Sequence, residues 1–246
     1  TFDSHFGDAI IGEFSIFLWE KHFQSCPQPI GIEDIRSTDS HARGLVTVTR
    51  TDAPLSGPNR PAALFRGFLG TIEQAMERHD EMGSPIRSEI WACLRPADPQ
   101  AAARMAWKDS AIDHAGGEGT YGEMFWAAAE SAAFVESDIM TLIRIGLNVI
   151  PISCRISRVI REVIWCHENK LTWGEARERV ITRFANFQPC DAIANHGFMI
   201  IGLLYGKDFG DMLCKAVNCG YDTDCTGATV GAFLGIVSGI DRKSVV

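Results

Sequence analysis

No stretch of this chain stays apolar long enough to cross a bilayer. Its longest uncharged run, Cys225 to Ile240, has 16 residues, short of the ~20 that a membrane helix needs. Glycines punctuate that run, so it reads as a buried helix. Basic residues do not predominate either: 31 acidic against 23 basic residues give a net charge of −8. That balance speaks against a nucleic-acid or anionic-membrane partner held by general electrostatics, and leaves room for a local basic pocket for phosphate. The eight cysteines include no C-x-x-C pair, which removes the usual signature of a zinc knuckle. Their irregular scatter reads as reduced, mostly buried thiols of an intracellular protein. Thr1 to Glu13 carries acids and no basic n-region, so no secretory signal is expected and the expected location is cytoplasmic. There is no repeat of fixed period and no alternating β–α pattern.

What the chain does have is helical periodicity, in a composition that is 46% hydrophobic and 22% charged and can bury a sizeable core. Phe6, Ile10, Phe14, Phe17 and Leu18 predict a helix over about Gly7 to Phe23, ended by Pro27 and Pro29. Gln28 to Arg60 reads as a long irregular segment in which Leu45 to Thr49 resembles a short strand. Pro61 opens a helix with an apolar stripe of Leu64, Phe68, Ile72 and Met76, stopped at Gly83. Gly83-Ser84-Pro85-Ile86-Arg87 is a tight loop feeding a short helix through Trp91. Asp98-Pro99 is a cap followed by a first-turn proline, and predicts a helix to about Asp113.

Past the glycine-rich loop His114 to Gly119, helices are expected over about Thr120 to Val135, Asp138 to Val149 and Ile156 to Ile164. Thr172 and Glu175 form a capping box for a helix to about Asn186. Asp191 to Tyr205, Phe209 to Asn218 and Asp224 to Ser238 complete the set. In the last, Gly227, Gly231 and Gly235 fall four apart on one face, which admits a neighbouring helix closely. Trp91, Trp107, Trp126, Trp165 and Trp173 are expected in the core. The expectation is one all-α domain over residues 1–246, with roughly ten helices in an orthogonal arrangement and functional loops at helix ends.

The stretch richest in chemistry is Cys219 to Gly235, where Asp222 and Asp224 stand one residue apart as a loop turns into a helix. In extended backbone, residues i and i+2 point the same way. Both carboxylates can then face one hard cation, because Mg²⁺, Mn²⁺ and Ca²⁺ take oxygen ligands. The helix that follows aims its free N–H groups at the same spot. The other reading makes one Asp a plain N-cap, and residue types alone leave both open. Cys225 reads as a small buried hydrophobe before a ligand or nucleophile, since no histidine is near it in sequence. His114 suits a helix C-terminal cap. Tyr121 either contacts a ligand ring or packs the core. Arg87 reads as a surface or ion-paired arginine, and Glu123 and Asp109 as solvated helix residues.

Gly220 to Ala232, G-Y-D-T-D-C-T-G-A-T-V-G-A, resembles the G-D-T-D-T-x-G-A-x-x-G-A motif of the ADP-ribosylglycohydrolases. There the motif supplies half of a two-metal magnesium or manganese site. The run Asp191 to Phe209, with Leu203 to Phe209 within it, is similar to the family's penultimate helix, and Gly119 to Ala128 to its ligand-contacting loop and following helix. His114 falls where the family has a ligand-facing histidine. Gly83 to Arg87 resembles the glycine loop that holds the diphosphate-ribose part. The resemblance runs over about residues 61–239 and leaves residues 1–60 as a diverged or incomplete N-terminal part.

What this resemblance implies is a metal-dependent hydrolase that cleaves an N- or O-glycosidic ADP-ribosyl conjugate, small-molecule or protein-linked, with a metal-activated water. Asp222 and Asp224 are then the catalytic residues, holding one or two Mg²⁺ or Mn²⁺ ions with Cys225, Asp3 and Thr1 as further ligands. Gly83, Ser84, His114, Gly119, Tyr121 and Gly122 are the substrate-binding residues. Two departures carry an alternative, a catalytically silent ligand-binding or structural member. The family opens with G-D-x-x-G and further on carries T-D-D-T, whereas Thr1-Phe2-Asp3-Ser4 has Phe2 where an Asp should stand. Cys225 replaces a threonine whose hydroxyl ligates a metal.

Overall fold

The computed structural model describes residues 35–37, 46–48 and 72–239. The chain divides into two units, Thr1–Leu69 and Gly70–Val246. In the first, β1 (Ile35–Ser37) pairs antiparallel with β2 (Val46–Val48), with Ile35 opposite Val48 and Ser37 opposite Val46. β2 is the short strand expected within Leu45 to Thr49, formed where β-branched residues cluster. The helix expected over Gly7 to Phe23 and the start of the one expected from Pro61 lie outside the described residues.

The second unit is all-α. Its described residues form α1 (Ile72–Glu77), α2 (Ser88–Leu94), α3 (Pro99–Asp113), α4 (Glu118–Ala133), α5 (Ile139–Leu147), α6 (Arg155–Glu168), α7 (Trp173–Phe184), α8 (Ala192–Tyr205), α9 (Phe209–Asn218) and α10 (Thr223–Ser238), with a 3₁₀ turn at Pro85–Arg87. The helices begin where side chains satisfy their free N–H groups. Asp98 accepts from Ala101 N at 3.1 Å, Asp138 from Thr141 N at 2.8 Å and Asp208 from Asp211 N at 2.9 Å. Thr172 and Glu175 close the capping box in front of α7.

α8 lies at the centre. Every residue from Ala192 to Leu203 is buried, as an uncharged helix apolar on all sides requires. α6, α7, α9 and α10 wrap it, and α4 joins it to α2, α3 and α5. Trp126, Phe198 and Phe233 are fully buried between these layers, each stabilising the fold by ~1.5–3 kcal/mol through burial. Two expected core tryptophans are not there. Trp107 is 48% and Trp165 45% exposed, and the guanidinium of Arg179 sits 4.7 Å from the Trp165 ring centroid. That cation–π contact holds the ring at the surface.

The glycine stripe of α10 is also looser than its spacing suggests. A Cβ at Gly227 would come 3.1 Å from Val217, but at Gly235 it would meet nothing within 4 Å. Helices approach closely at Gly202 of α8 instead, where a Cβ would lie 2.6 Å from the Met212 carbonyl oxygen. Among the described residues no helix is long and apolar enough to cross a membrane.

Candidate functional site

The site begins with a short piece of extended pairing between distant parts of the chain. Met82 N donates to Cys190 O at 2.9 Å and Ala192 N to Asp80 O at 2.7 Å, around the bridged pair Glu81 and Asp191. This fixes the chain entering the Gly83–Ser84 loop against the start of α8. One turn into α8, Asn195 ties in a third segment. Its Nδ2 donates to Pro189 O at 2.8 Å and to Asp191 O at 2.9 Å, and its Oδ1 accepts from Asp222 N at 3.2 Å.

Asp222 is thereby placed at the head of α10. Gly220 and Tyr221, just before it, both have left-handed backbone, with φ of +85° and +66°. Glycine takes that conformation freely, whereas a tyrosine there costs ~1–3 kcal/mol. The Tyr221 ring packs on Phe198 at 5.4 Å and its hydroxyl donates to Asn186 O at 3.3 Å, which offsets the strain.

Asp222 is the N-cap of α10 by position, yet its side chain makes no cap hydrogen bond. It is only 8% exposed, and no N–H or O–H of the described residues donates to its carboxylate. Instead one carboxylate oxygen of Asp222, one of Asp224 and the Cys225 sulfur all lie within 4.8 Å of one another. The Cys190 thiol, at an exposed position, is pushed up by burial first, with the Asp222 charge adding to it. Burial pushes Asp222 above its ordinary value, with the Cys225 thiol opposing and Asp224 adding to the shift. Burial also pushes the Cys225 thiol up, and the Asp222 carboxylate adds to it. Clustered negative charge of this kind is what a bound cation relieves.

A second group of side chains surrounds the Gly83–Ser84 loop. Ser84 is fully buried. Its hydroxyl donates to Glu123 Oε2 at 2.5 Å, and Ser110 Oγ lies 2.5 Å from it on the other side. Trp91 Nε1 donates to Glu123 Oε1 at 2.6 Å. Glu123 is therefore not a solvated helix residue but a fully buried one. Burial pushes its carboxyl well above the ordinary range, and Arg87 opposes this only in part. Arg87 is ion-paired, 2.9 Å from Asp109, 2.7 Å from Asp113 and 3.8 Å from Glu123. Asp109 is thus held by Arg87 and not simply solvated. Burial works against the Arg87 charge, but these carboxylates hold it above its ordinary value.

His114 is the C-cap of α3 and also faces the loop. Its ring is 3% exposed, and Nδ1 lies 2.8 Å from Asp113 Oδ1. Its buried Nε2 has no partner among the described residues. A Cβ at Gly83 would sit 3.5 Å from that nitrogen, and one at Gly119 would come 2.8 Å from the ring's Cδ2. Gly119 is therefore needed for the ring to fit. Gly122 makes room for His196, since a Cβ there would lie 2.5 Å from that ring's Cε1. Gly119 and Gly122 thus admit histidine rings in this fold, and Tyr121 packs partly buried against the core. The N–H groups of Gly83 and Ser84 donate to no acceptor among the described residues. The Pro85–Arg87 turn that follows them packs against α10, bringing the two groups together. Thr1 and Asp3 lie outside the described residues.

Three residues of the site were not singled out from sequence: Cys190, Asn195 and His196. Asn195-His196 is the one polar pair in the otherwise apolar run Ala192 to Tyr205, and that was the signal available. His196 is fully buried, with Nδ1 2.6 Å from Ala192 O, and burial pushes it down to about 4.

A family model described as ADP-ribosylglycohydrolase matches residues 31–242. No curated protein and no solved structure matches the chain.

Proposed function

The chain belongs to the ADP-ribosylglycohydrolase family, and from that premise we propose that it is a metal-dependent hydrolase of an ADP-ribosyl conjugate. The observation that carries the metal part is the side chain of Asp222. The residue is buried, its side chain sits at a helix N-cap without capping, and Asp224 and Cys225 stand beside it. Such a carboxylate is costly to bury unless something positive faces it. The donor set fits a divalent cation, held by Asp222 and Asp224. When bound, that cation supplies a water acidic enough to attack at neutral pH.

The remaining roles fall to the chain itself. The free N–H of the exposed Gly83 suits a phosphate oxygen of a diphosphate. Asp113 fixes the His114 ring through Nδ1, leaving Nε2 to meet a ligand polar group beside Gly83. Burial of Ser84 and Glu123 under the loop keeps it from collapsing into the site.

Cys225, a thiol where the family motif has a hydroxyl, favours a second reading: a catalytically silent member that binds ADP-ribose. Two measurements decide. The full chain is titrated calorimetrically with Mg²⁺ or Mn²⁺, with and without ADP-ribose, beside Asp222→Ala and Asp224→Ala. Release of ADP-ribose from a modified protein is then followed. Binding lost in both variants together with turnover supports the hydrolase. Binding without turnover selects the silent member, and no binding by the parent chain rejects both.

A further inference from the structure

We propose that the groove between α6 and α7 docks an acidic segment of a partner polypeptide, and that this polypeptide is the one carrying the ADP-ribosyl group. The second half rests on the hydrolase reading above; the docking does not.

Arg158, Arg161, Glu162 and Trp165 of α6, with Arg183 and Phe184 of α7, line an open groove of about 560 Å³. The spacing of Arg158, Arg161 and Trp165 keeps them on one helix face. Arg158 and Arg161 are exposed. Neither pairs with a carboxylate among the described residues, and Arg161 donates only to Ser157 Oγ of its own helix, at 3.2 Å. The groove's carboxylate, Glu162, is already taken, 2.6 Å from Arg179 and 3.3 Å from Arg183. Residues 155–184 carry seven Lys or Arg against four Asp or Glu, a net +3 in a chain of net −8. Trp165 is half-exposed among these cations, its ring held by Arg179. Tryptophan ringed by arginine is the composition of an interface centre, and a ring already held in place loses little freedom on binding.

The charge is set out along a line and not around a point. At about 1.5 Å of rise per residue, Arg158 to Trp165 covers about 10 Å of α6, the length of about three extended residues. A lone phosphate calls for donors that converge on it, and the N–H groups of these helix interiors are spent within the helices. A long polyanion such as nucleic acid meets the net negative charge of the rest of the chain. A short acidic segment with one apolar residue over Trp165 fits both the line of charge and the ring. The groove also ends at the frame of the candidate site. At the head of α6, Arg155 N donates to Glu118 Oε1 at 2.7 Å, and its guanidinium donates to Phe184 O at 3.2 Å and lies 3.9 Å from Asp80. Glu118 adjoins Gly119, and Asp80 O accepts from Ala192 N at 2.7 Å, so a segment lying in the groove leads toward the Gly83–Ser84 loop.

The full chain is titrated, without added metal, with a short fluorescein-labelled peptide of Asp and Glu with one central Phe, and anisotropy is followed. The expected result is saturable binding that weakens with salt and is absent for the matching peptide of Lys and Arg. Arg158→Glu combined with Arg161→Glu, and separately Trp165→Ala, each weaken it by about 10-fold or more. Arg104→Glu, exposed on α3, leaves it unchanged, which separates docking from net charge. On an ADP-ribosylated protein with such an acidic segment, the double variant raises KM.

No saturable binding by the parent chain, or equal binding by the double variant, overturns the docking. Displacement of the peptide by ADP or inorganic phosphate at lower concentration than by unlabelled peptide, or tighter binding of single-stranded DNA, assigns the groove to phosphate and overturns it too. A double variant that has lost the peptide but keeps the parent KM overturns the substrate role alone. No cation enters the peptide titration, so its result stands whatever Asp222 and Asp224 bind.

Discussion

Asn195 and Asp222 are joined across 27 residues of chain by one hydrogen bond, from Asp222 N to Asn195 Oδ1 at 3.2 Å. The same amide holds Pro189 and Asp191, so one side chain places both the head of α10 and the turn that carries Cys190. Asn195→Ala leaves the buried Asp222 N–H without its partner and removes the side-chain bonds to the Pro189 and Asp191 carbonyls. It is expected to cost ~1–3 kcal/mol in urea unfolding and to weaken cation binding by about 10- to 100-fold. Normal cation affinity in a folded Asn195→Ala protein would show that the tie does not position Asp222.

Removing Arg87 tests the charged group beneath the Gly83 loop. Arg87→Met leaves Asp109, Asp113 and Glu123 without their shared cation. The loss in urea unfolding is expected at about 1–3 kcal/mol. That is below the ~3–5 kcal/mol of a fully buried pair, because the Arg87 side chain is 35% exposed. Arg87→Lys recovers only part of it, since a point charge does not replace the fork that reaches both oxygens of Asp113.

Glu89 gives a pH signature of definite sign. Burial pushes it up to about 7, its own backbone hydrogen bond opposing only in part. The folded protein therefore binds a proton that the unfolded chain releases from about pH 4.5 upward. Stability contributed there is present at low pH and is lost as pH rises toward about 7. Glu89→Gln should match the parent chain near pH 5 and show a higher urea midpoint than it near pH 8. Parallel pH curves for the two proteins would refute this.

His196 acts in the opposite direction. Its pKa is pushed down to about 4 by burial, so the unfolded chain takes up a proton first as pH falls below 6.5. The stability His196 contributes is present above 6.5 and lost on acidification toward about 4. In His196→Gln the acid limb of the stability curve should be shallower, whatever the variant's absolute stability, as urea midpoints between about pH 4 and 7 will show.

Thr172→Ala is the control remote from the site. It removes one half of the capping box before α7 and should cost ~1 kcal/mol with no change in cation affinity by calorimetry. A shift in affinity would mean that affinity changes in this fold report general loosening.

The helices were legible in the sequence wherever a local signal sets them. Asp98-Pro99 and Thr172-Trp173-Gly174-Glu175 each announce a start that the structure keeps, and Phe209 to Asn218 has the expected bounds. The Asp222–Asp224–Cys225 cluster was legible for the same reason, since three of its groups lie within four residues. Glu123 was not, because its burial is decided by Trp91 and Ser84, 32 and 39 residues away. Cys190 was not, because its place in the site's frame comes only from the Met82 N–H that its carbonyl accepts. The surface positions of Trp107 and Trp165 depend on which helix face finds a neighbour, and composition carries no record of that.

The pairing of Asp80–Met82 with Cys190–Ala192 has a further consequence. It lies one turn before Asn195, whose amide reaches Asp222, so the head of α10 and the chain entering the Gly83 loop share one frame. A cation bound by Asp222 and Asp224 would favour the state in which Asn195 already holds the head of α10, and the native state would gain RT ln(1 + [M]/Kd) over any state in which that tie is open. Chelation would then loosen the head of α10 before any whole helix melts, and hydrogen exchange at Asp222 N, which donates to Asn195, would register it first.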